Sequence, residues 1–348
     1  MTKFAQYSID LFSKLRLDGQ TCYYPVGGME VAITEERFED LKRKLGIAMS
    51  WGTEARLVDA DEACELLPLL DRRKIQGAYY VPNDGVVKAV RASEAMAREA
   101  QSKGVRFFGN TRVTGIQISG GHVREVITEK GSITADNVLI CAGIWGPKVA
   151  KMAGMTLPLS PMEHLYAKTS PLQELKGETR EVVHPVLRHQ DRSMYFRQHG
   201  DSYGIGSYNH EPLLVDAEEI LPHEKALIMP SIREFTPEHF ANARNAAYEL
   251  MPALKRADLV YKINGMFSFT IDGFPIVGPW KEVEGLWIAE AIWIMHSGGV
   301  GKVMAEWMVD GVPSLDLRNA MLIGSTLMRS TFRTSKRGLP SSIARCTT

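Results

Sequence analysis

Residues 292–307 read IWIMHSGGVGKVMAEW: the end of an apolar run, three glycines at 298, 299 and 301, then a helical pattern. Together with GLWIAEAIW just before it, the stretch predicts a buried strand, a glycine-rich turn at HSGGVG and a helix opening at His296-Ser297-Gly298. A helix N-terminus carries free N–H groups and about half a positive charge, so it can face an anionic oxygen, a phosphate or a negatively charged ring. The glycines would let such a group approach the backbone; the plain alternative is a tight turn.

Working outward, LICAGIWGP (139–147) is a second strand running into small residues, Ala142-Gly143, ahead of Trp145. It reads either as a turn packed against a dinucleotide or as an ordinary strand-to-helix turn. Upstream, a helix is expected over about 88–103, then strands at VRFFG (105–109), TRVTGIQI and HVREVITE. Helix, strand, meander and buried strand make an α/β pattern. Residues 157–263 change character, with short strands EHLYAKTS, PVLRH, SMYFRQHG and SYGIGSY, followed by a helix near 236–250. FSFTIDGFPIVGP (267–279) carries an Asp272-Gly273 turn and reads as a connector or hairpin. At the start, Phe4, Ile9, Leu11, Phe12 and Leu15 fall near helical spacing, and a second helix is expected from Thr34 to about Leu45, stopped by Gly46.

Composition narrows the functional classes. A chain of 348 residues suggests about two domains at roughly 150 residues each. Lys plus Arg and Asp plus Glu are both 41, so no global field attracts nucleic acid or an anionic membrane. No run approaches the ~18 apolar residues of a membrane span. Cys22, Cys64, Cys141 and Cys346 fit no zinc spacing, which predicts reduced thiols, no metal and an intracellular home. No P-loop, G-x-S-x-G or H-E-x-x-H is present.

The polar residues of the middle segment carry the chemistry: Glu163, His164 and Tyr166, Arg188 and His189, Tyr195 and Arg197, Tyr208 and His210. Amine oxidation needs a deprotonated amine, which a neutral His or a Tyr within reach supports. A carboxylate needs Arg or Lys. Each residue taken singly reads first as a satisfied structural group; it is their clustering on adjacent strands of one sheet that points to a site.

Jointly these motifs resemble one family. VxGIxxxxGxVxxVxT over 113–128, LICAGIWGP and HSGGVGKVMAEW, in this order, look like the D-amino-acid-oxidase-like flavoproteins. PLSPMEHLYAKTSP (158–171), the 185–210 stretch, NGMFSFTIDGFPIVGP (264–279) and YYPVGGMEVAITEERFEDLKRKLG (23–46) are similar to the dimethylglycine oxidase, dimethylglycine dehydrogenase and sarcosine dehydrogenase group. The resemblance implies FAD, a small-molecule amine substrate, and oxygen or an electron-transfer flavoprotein as electron acceptor. It implies a mixed α/β (α+β) fold with a discontinuous Rossmann-like FAD domain and a substrate domain built on a large mixed, mostly antiparallel sheet. The expected division is 1–84 substrate domain with leading helix, 85–155 FAD segment, 156–262 substrate domain, 263–317 FAD segment and 318–348 a disordered tail.

Carried over by position, His164 and Tyr195 match the catalytic pair and Arg188 a carboxylate contact. Val113 matches the adenine contact, and Ala142, Gly143 and Trp145 the dinucleotide turn. Ile292, Trp293, Ile294, Met295, His296, Ser297 and Gly298 match the loop against the isoalloxazine. The family's opening strand with G-x-G-x-x-G has no counterpart here, nor has its flavin-linking histidine. The resemblance therefore implies a Rossmann-like domain lacking its first βαβ unit, weak FAD binding by this chain, and a cytoplasmic, or in a eukaryote mitochondrial-matrix, home. The competing expectations are an oxidase of another secondary or tertiary amine, and a truncated remnant that binds without catalysing.

Overall fold

The computed structural model describes every residue except 209, 227, 319 and 322–348. Most of the expected tail, and with it Cys346, lies outside the described residues. The chain opens with helix α1 (Thr2–Lys14) and three two-residue strands, β1 (Arg16–Leu17), β2 (Gln20–Thr21) and β3 (Tyr23–Tyr24). Strand β4 (Gly28–Ala32) leads to α2 (Glu35–Ser50), β5 (Arg56–Asp59), α3 (Ala60–Leu66), β6 (Gly77–Val81), β7 (Val86–Val87) and α4 (Ala89–Ser102). Then come β8 (Val113–Ser119), β9 (His122–Thr128), β10 (Gly131–Thr134), β11 (Val138–Ile140) and α5 (Gly146–Met152). The middle carries β12 (Leu159–Thr169), β13 (Val186–His189), β14 (Met194–His199), β15 (Ser202–Ser207), β16 (Ile232–Arg233) and α6 (Pro237–Leu250). The chain closes on β17 (Leu259–Thr270), β18 (Ile276–Pro279), β19 (Leu286–Glu290) and α7 (Ile294–Asp310).

A nine-stranded sheet of order β16-β17-β12-β15-β14-β13-β4-β6-β5 dominates the molecule. All its pairs are antiparallel except β13 with β4, so the expected large mixed sheet is present. Alternation along each strand gives it two unlike faces. Leu165, Ala167, Leu187, Phe196, Tyr203 and Ile205 point into the main core, where α6 contributes Phe240, Ala243, Ala247 and Leu250. The other face is polar and holds the candidate site.

A smaller three-stranded sheet, β11-β19-β18, pairs β11 parallel with β19. Its core is shared with α5 and with the β8–β9 hairpin, through Ile116, Val123, Ala150 and Ile288. Its other side is covered by α7 and by Phe4 of α1. Among the described residues no helix is long and apolar enough to cross a membrane.

Several expectations need correction. Gly46 does not stop α2, which continues to Ser50 and turns at Gly52, where φ is +72°. A mid-helix glycine costs only about 1 kcal/mol, whereas a left-handed φ ends the helix. Thr34 does cap it, accepting from Arg37 N at 3.1 Å. Residues 105–109 form no strand: they have no pairing partner among the described residues, and Val105, Phe107 and Phe108 are exposed. The stretch 267–279 is no hairpin, because β17 and β18 belong to different sheets and the Asp272-Gly273 turn joins them. Packed chain also reaches beyond 317: Ala320 is buried, and its carbonyl accepts from Val277 N at 2.8 Å.

The main correction concerns the glycines at 298–301. They form no turn, because α7 begins at Ile294. They sit in its first turns, where Gly298 and Gly299 let α1 pack closely and Gly301 faces open space. A Cβ on Gly299 would lie 2.4 Å from Phe4 Cα, and one on Gly298 would lie 3.0 Å from Leu11. Ser8 Oγ, buried at the crossing, accepts from Gly299 N at 3.1 Å and donates to Phe4 O at 2.8 Å.

Candidate active site

The polar face of the large sheet is built by register. Arg188 pairs with Tyr195, Tyr195 with Gly206, Gly206 with Tyr166 and Tyr166 with Ile263, so one row crosses five strands. The next row carries Arg197, Gly204, Lys168 and Tyr261. The two glycines of β15 let the rings lie flat. A Cβ on Gly206 would fall 2.0 Å from Tyr195 Cζ, and one on Gly204 would overlap the Tyr166 hydroxyl. Alternate glycines inside the strand SYGIGSY were the sequence signal for this.

His164 and Tyr195 meet directly, with Nε2 2.7 Å from Oη and the rings stacked within 9° of parallel. Tyr208 and Phe267 pack against the imidazole at 4.3 and 4.7 Å between centroids. This aromatic box buries His164 to 4% exposure. Burial first, and His210 second, push the imidazole down to about 3, so it is neutral. Burial also holds the Tyr195 phenol well above its ordinary range, so it is protonated and can donate to Nε2. His164 Nδ1 is buried and finds no partner among the described residues.

The box extends toward α7. Trp293, the N-cap of α7, packs against Phe267 and Phe269, each at 5.7 Å between centroids. Tyr208 packs beside it against buried Met162. His164, Tyr195 and Trp293 thus share one neighbourhood, with Phe267 as the link. Arg188 lies across the ladder from Tyr195, with its charge also felt by the Asp84 carboxyl, which burial pushes upward. Not every expected neighbour joins them: His189 faces the opposite side of the sheet, and Glu163 accepts from Asn264 Nδ2 at 2.6 Å.

The expected flavin contacts divide into two groups. Ile294 and Met295 are exposed at the start of α7, and Ile292 packs into the core beneath it. Trp293 supplies no side-chain cap; its carbonyl accepts from His296 N at 2.9 Å, which leaves the amides of Ile294 and Met295 for another acceptor. His296 has a buried Nδ1 without a partner among the described residues, and burial followed by the Met1 ammonium lowers the imidazole to about 4. Ser297 Oγ donates back to Ile294 O at 2.8 Å, and Gly298 faces α1. The Ile294 and Met295 amides, the exposed apolar surface and the neutral His296 imidazole fit the ring end of FAD.

The 142–145 turn fits less well. Glu290 accepts from both Ala142 and Gly143 N–H groups, the first at 2.5 Å, so these amides are already occupied. Gly143 takes a φ of +56° and Trp145 is exposed. Burial raises the Glu290 carboxyl to about 7. An acidic residue inside an apolar strand, AEA, was the visible signal for this clamp. Val113 opens β8 in the separate meander sheet and is half-buried. Among the described residues no cluster of His, Cys, Asp or Glu is placed to hold a metal.

Known proteins share the fold and the family of this chain. Dimethylglycine dehydrogenase of Rattus norvegicus is 31% identical over 315 residues, 89% of this chain and 36% of that protein. The formaldehyde-forming 4-methylaminobutanoate oxidase of Paenarthrobacter nicotinovorans is 31% identical over 91% of this chain and 38% of its own length. The chain thus spans little more than a third of these relatives. The crystal structure of L-proline dehydrogenase from P. horikoshii superposes with a TM-score of 0.77 at 22% identity, covering 90% of this chain and 80% of that one, so the fold is shared. The family described as FAD dependent oxidoreductase matches residues 1–307, and the chain belongs to it.

Proposed function

We propose that this chain is the substrate-oxidising part of an amine oxidoreductase that breaks a C–H bond next to nitrogen in a small N-methylated amino acid. The observation that carries the reading is the His164–Tyr195 pair, neutral and bonded at 2.7 Å inside an aromatic box beside the start of α7. When bound, FAD supplies the acceptor for the hydride and its two electrons. Everything else falls to the chain. An ammonium has no lone pair to expel a hydride, so the amine must react neutral. The rings of Tyr195, Tyr208 and Phe267 exclude water, and the loss of hydration favours the uncharged amine. His164, uncharged, adds no repulsion against the positive charge that develops on nitrogen, and its ring helps fix the position of the amine. Loss of the hydride then leaves an iminium.

Arg188, one strand from Tyr195, is placed to meet a carboxylate close to the amine. The names of the relatives support N-methyl substrates. The test is rapid-reaction flavin reduction by dimethylglycine with the flavin-loaded protein. His164→Ala is expected to slow reduction roughly 10²–10⁴-fold while flavin content changes little. Equal loss of rate and flavin content would remove the catalytic assignment.

A further inference from the structure

His210 stands beside the His164–Tyr195 pair with its hydrogen bonds half made. Its Nδ1 lies 2.7 Å from the Glu211 carbonyl oxygen. A carbonyl only accepts, so Nδ1 carries the proton and, in the neutral ring, Nε2 is a bare lone pair. That Nε2 is buried and has no partner among the described residues. His164 shows the same pattern: Nε2 meets Tyr195 Oη at 2.7 Å, while Nδ1 is buried and unpartnered among the described residues.

The fold brings the two rings near each other. Beyond β15 the chain turns back along β12, where Glu163 N donates to Leu213 O at 2.9 Å and Met162 lies opposite Leu214. Tyr208, two residues before His210, packs on the His164 ring at 4.3 Å between centroids. His210 is close enough to lower the proton affinity of His164. Around His210 stand the His239 ring on α6, 6.3 Å away between centroids, and the carboxylates of Glu163 and Glu211. Glu163 lies 3.7 Å from Arg233 on β16. Burial first, with His239 adding to it, holds the His210 imidazole below its ordinary value, against the Glu211 carbonyl and the two carboxylates. At neutral pH the ring is therefore uncharged.

A neutral His164 carries one proton, in one of two places. Placed on Nε2 it would bond Tyr195, but the Nδ1 lone pair would have no donor, since a neutral His210 offers only another lone pair. Placed on Nδ1 it supplies the donor that His210 Nε2 lacks, through one water or a small ring rotation, and Tyr195 donates to Nε2. A charged His210 reverses the choice. Its Nε2 becomes a donor, His164 accepts at Nδ1 and donates from Nε2, and the Tyr195 hydroxyl proton turns outward. We propose that His210 is a positioning residue whose charge sets the direction of the hydrogen bonds through His164 to Tyr195, and so whether Tyr195 offers the substrate amine a lone pair or a proton. A proton from Tyr195 would tie up the nitrogen electrons that must expel the hydride. The role rests on the amine oxidation proposed above, but the link itself is readable without turnover.

Nitrogen-15 NMR of the full chain labelled at histidine separates the two tautomers of His164, whose signal is identified by its loss in His164→Ala. Near pH 8 the proton is expected on Nδ1, moving to Nε2 as His210 titrates at lower pH. Gln at position 210 places an oxygen where Nε2 was, and Asn an amide where Nδ1 was. His210→Gln should therefore hold His164 in the Nδ1–H form down to about pH 5, as an uncharged acceptor cannot titrate. His210→Asn should release His164 to the Nε2–H form even at pH 8. With the flavin-loaded protein, reduction by dimethylglycine should be about tenfold slower in the Asn than in the Gln variant, the weight of one hydrogen bond. The same tautomer in parent and both variants would overturn the proposal, as would a proton on His164 Nε2 at every pH or equal, measurable rates in the two variants. The pH arm uses the parent alone, so it decides the matter if a variant fails to fold. A tautomer that follows His210 in a protein that oxidises no amine would keep the link and sink the proposed function. Amine oxidation that needs His164 while its tautomer ignores His210 would do the reverse.

Discussion

The two sheets present their candidate site groups in opposite ways. The nine-stranded sheet offers side chains: His164, Tyr166 and Tyr195 stand on β12 and β14, and the glycines of β15 between them only make room. The small sheet and α7 offer backbone: the amides of Ile294 and Met295 open α7 without a side-chain cap, and those of Ala142 and Gly143 are held by one carboxylate. A side-chain site is disturbed when a ring moves. A backbone site is disturbed only when an element moves as a body. The same substitution, glycine to alanine, should therefore have different consequences in the two regions.

Gly299→Ala is the harshest test of the backbone region. Its Cβ would meet Phe4 Cα at 2.4 Å, and main chain cannot step aside as a side chain can. Helix propensity returns about 1 kcal/mol, while overpacking costs 1–3 kcal/mol or more, so overpacking wins. A net loss of roughly 2 kcal/mol should appear in thermal melting. A variant melting with the parent would mean that α1 does not rest on α7 as described.

Gly206→Ala should disturb the side-chain region with a smaller stability loss of about 1 kcal/mol, because the clashing atom is a ring carbon that can rotate away. The ring cannot do so and keep its bond to His164. Ultraviolet titration should then find the Tyr195 phenol closer to its ordinary value, with slower flavin reduction by the amine. An unchanged phenol together with unchanged kinetics would break the proposed dependence on the β15 glycines.

The smallest effect is expected at Glu290, and it depends on pH. Its carboxyl is raised to about 7, so its contribution is fully present below the unfolded value near 4.5 and is lost as pH rises through 7. Glu290→Gln keeps an oxygen to accept from Ala142 N–H and cannot ionise. The variant should match the parent near pH 5 and exceed it in stability at pH 8, as denaturant melts at both values would show. A difference independent of pH would place the carboxyl in a more polar setting.

Part of this was legible in the sequence because it depends on local periodicity. Period-2 alternation located β12, β14 and β15, and the residues of the polar face follow from it. Apolar spacing gave α1, Thr34 marked the start of α2, and the buried runs gave β11 and β19. His164 and Tyr195 could be selected as residue types suited to an amine, and motif similarity singled them out.

Other features could not be read this way. The glycines of 298–301 look the same in sequence whether they form a turn or a helix crossing, and only the presence of Phe4 and Ser8 opposite them decides. The stretch 105–109 has the composition of a strand, but a strand exists only where a partner accepts its hydrogen bonds. Glu290 drew no notice as a single residue, since its role comes from what faces it: the amides of Ala142 and Gly143, the first of them 148 residues away. Sequence fixes which face each side chain takes along its own strand. Register between distant strands decides which side chains meet, and with it the charge, burial and proton affinity of each group.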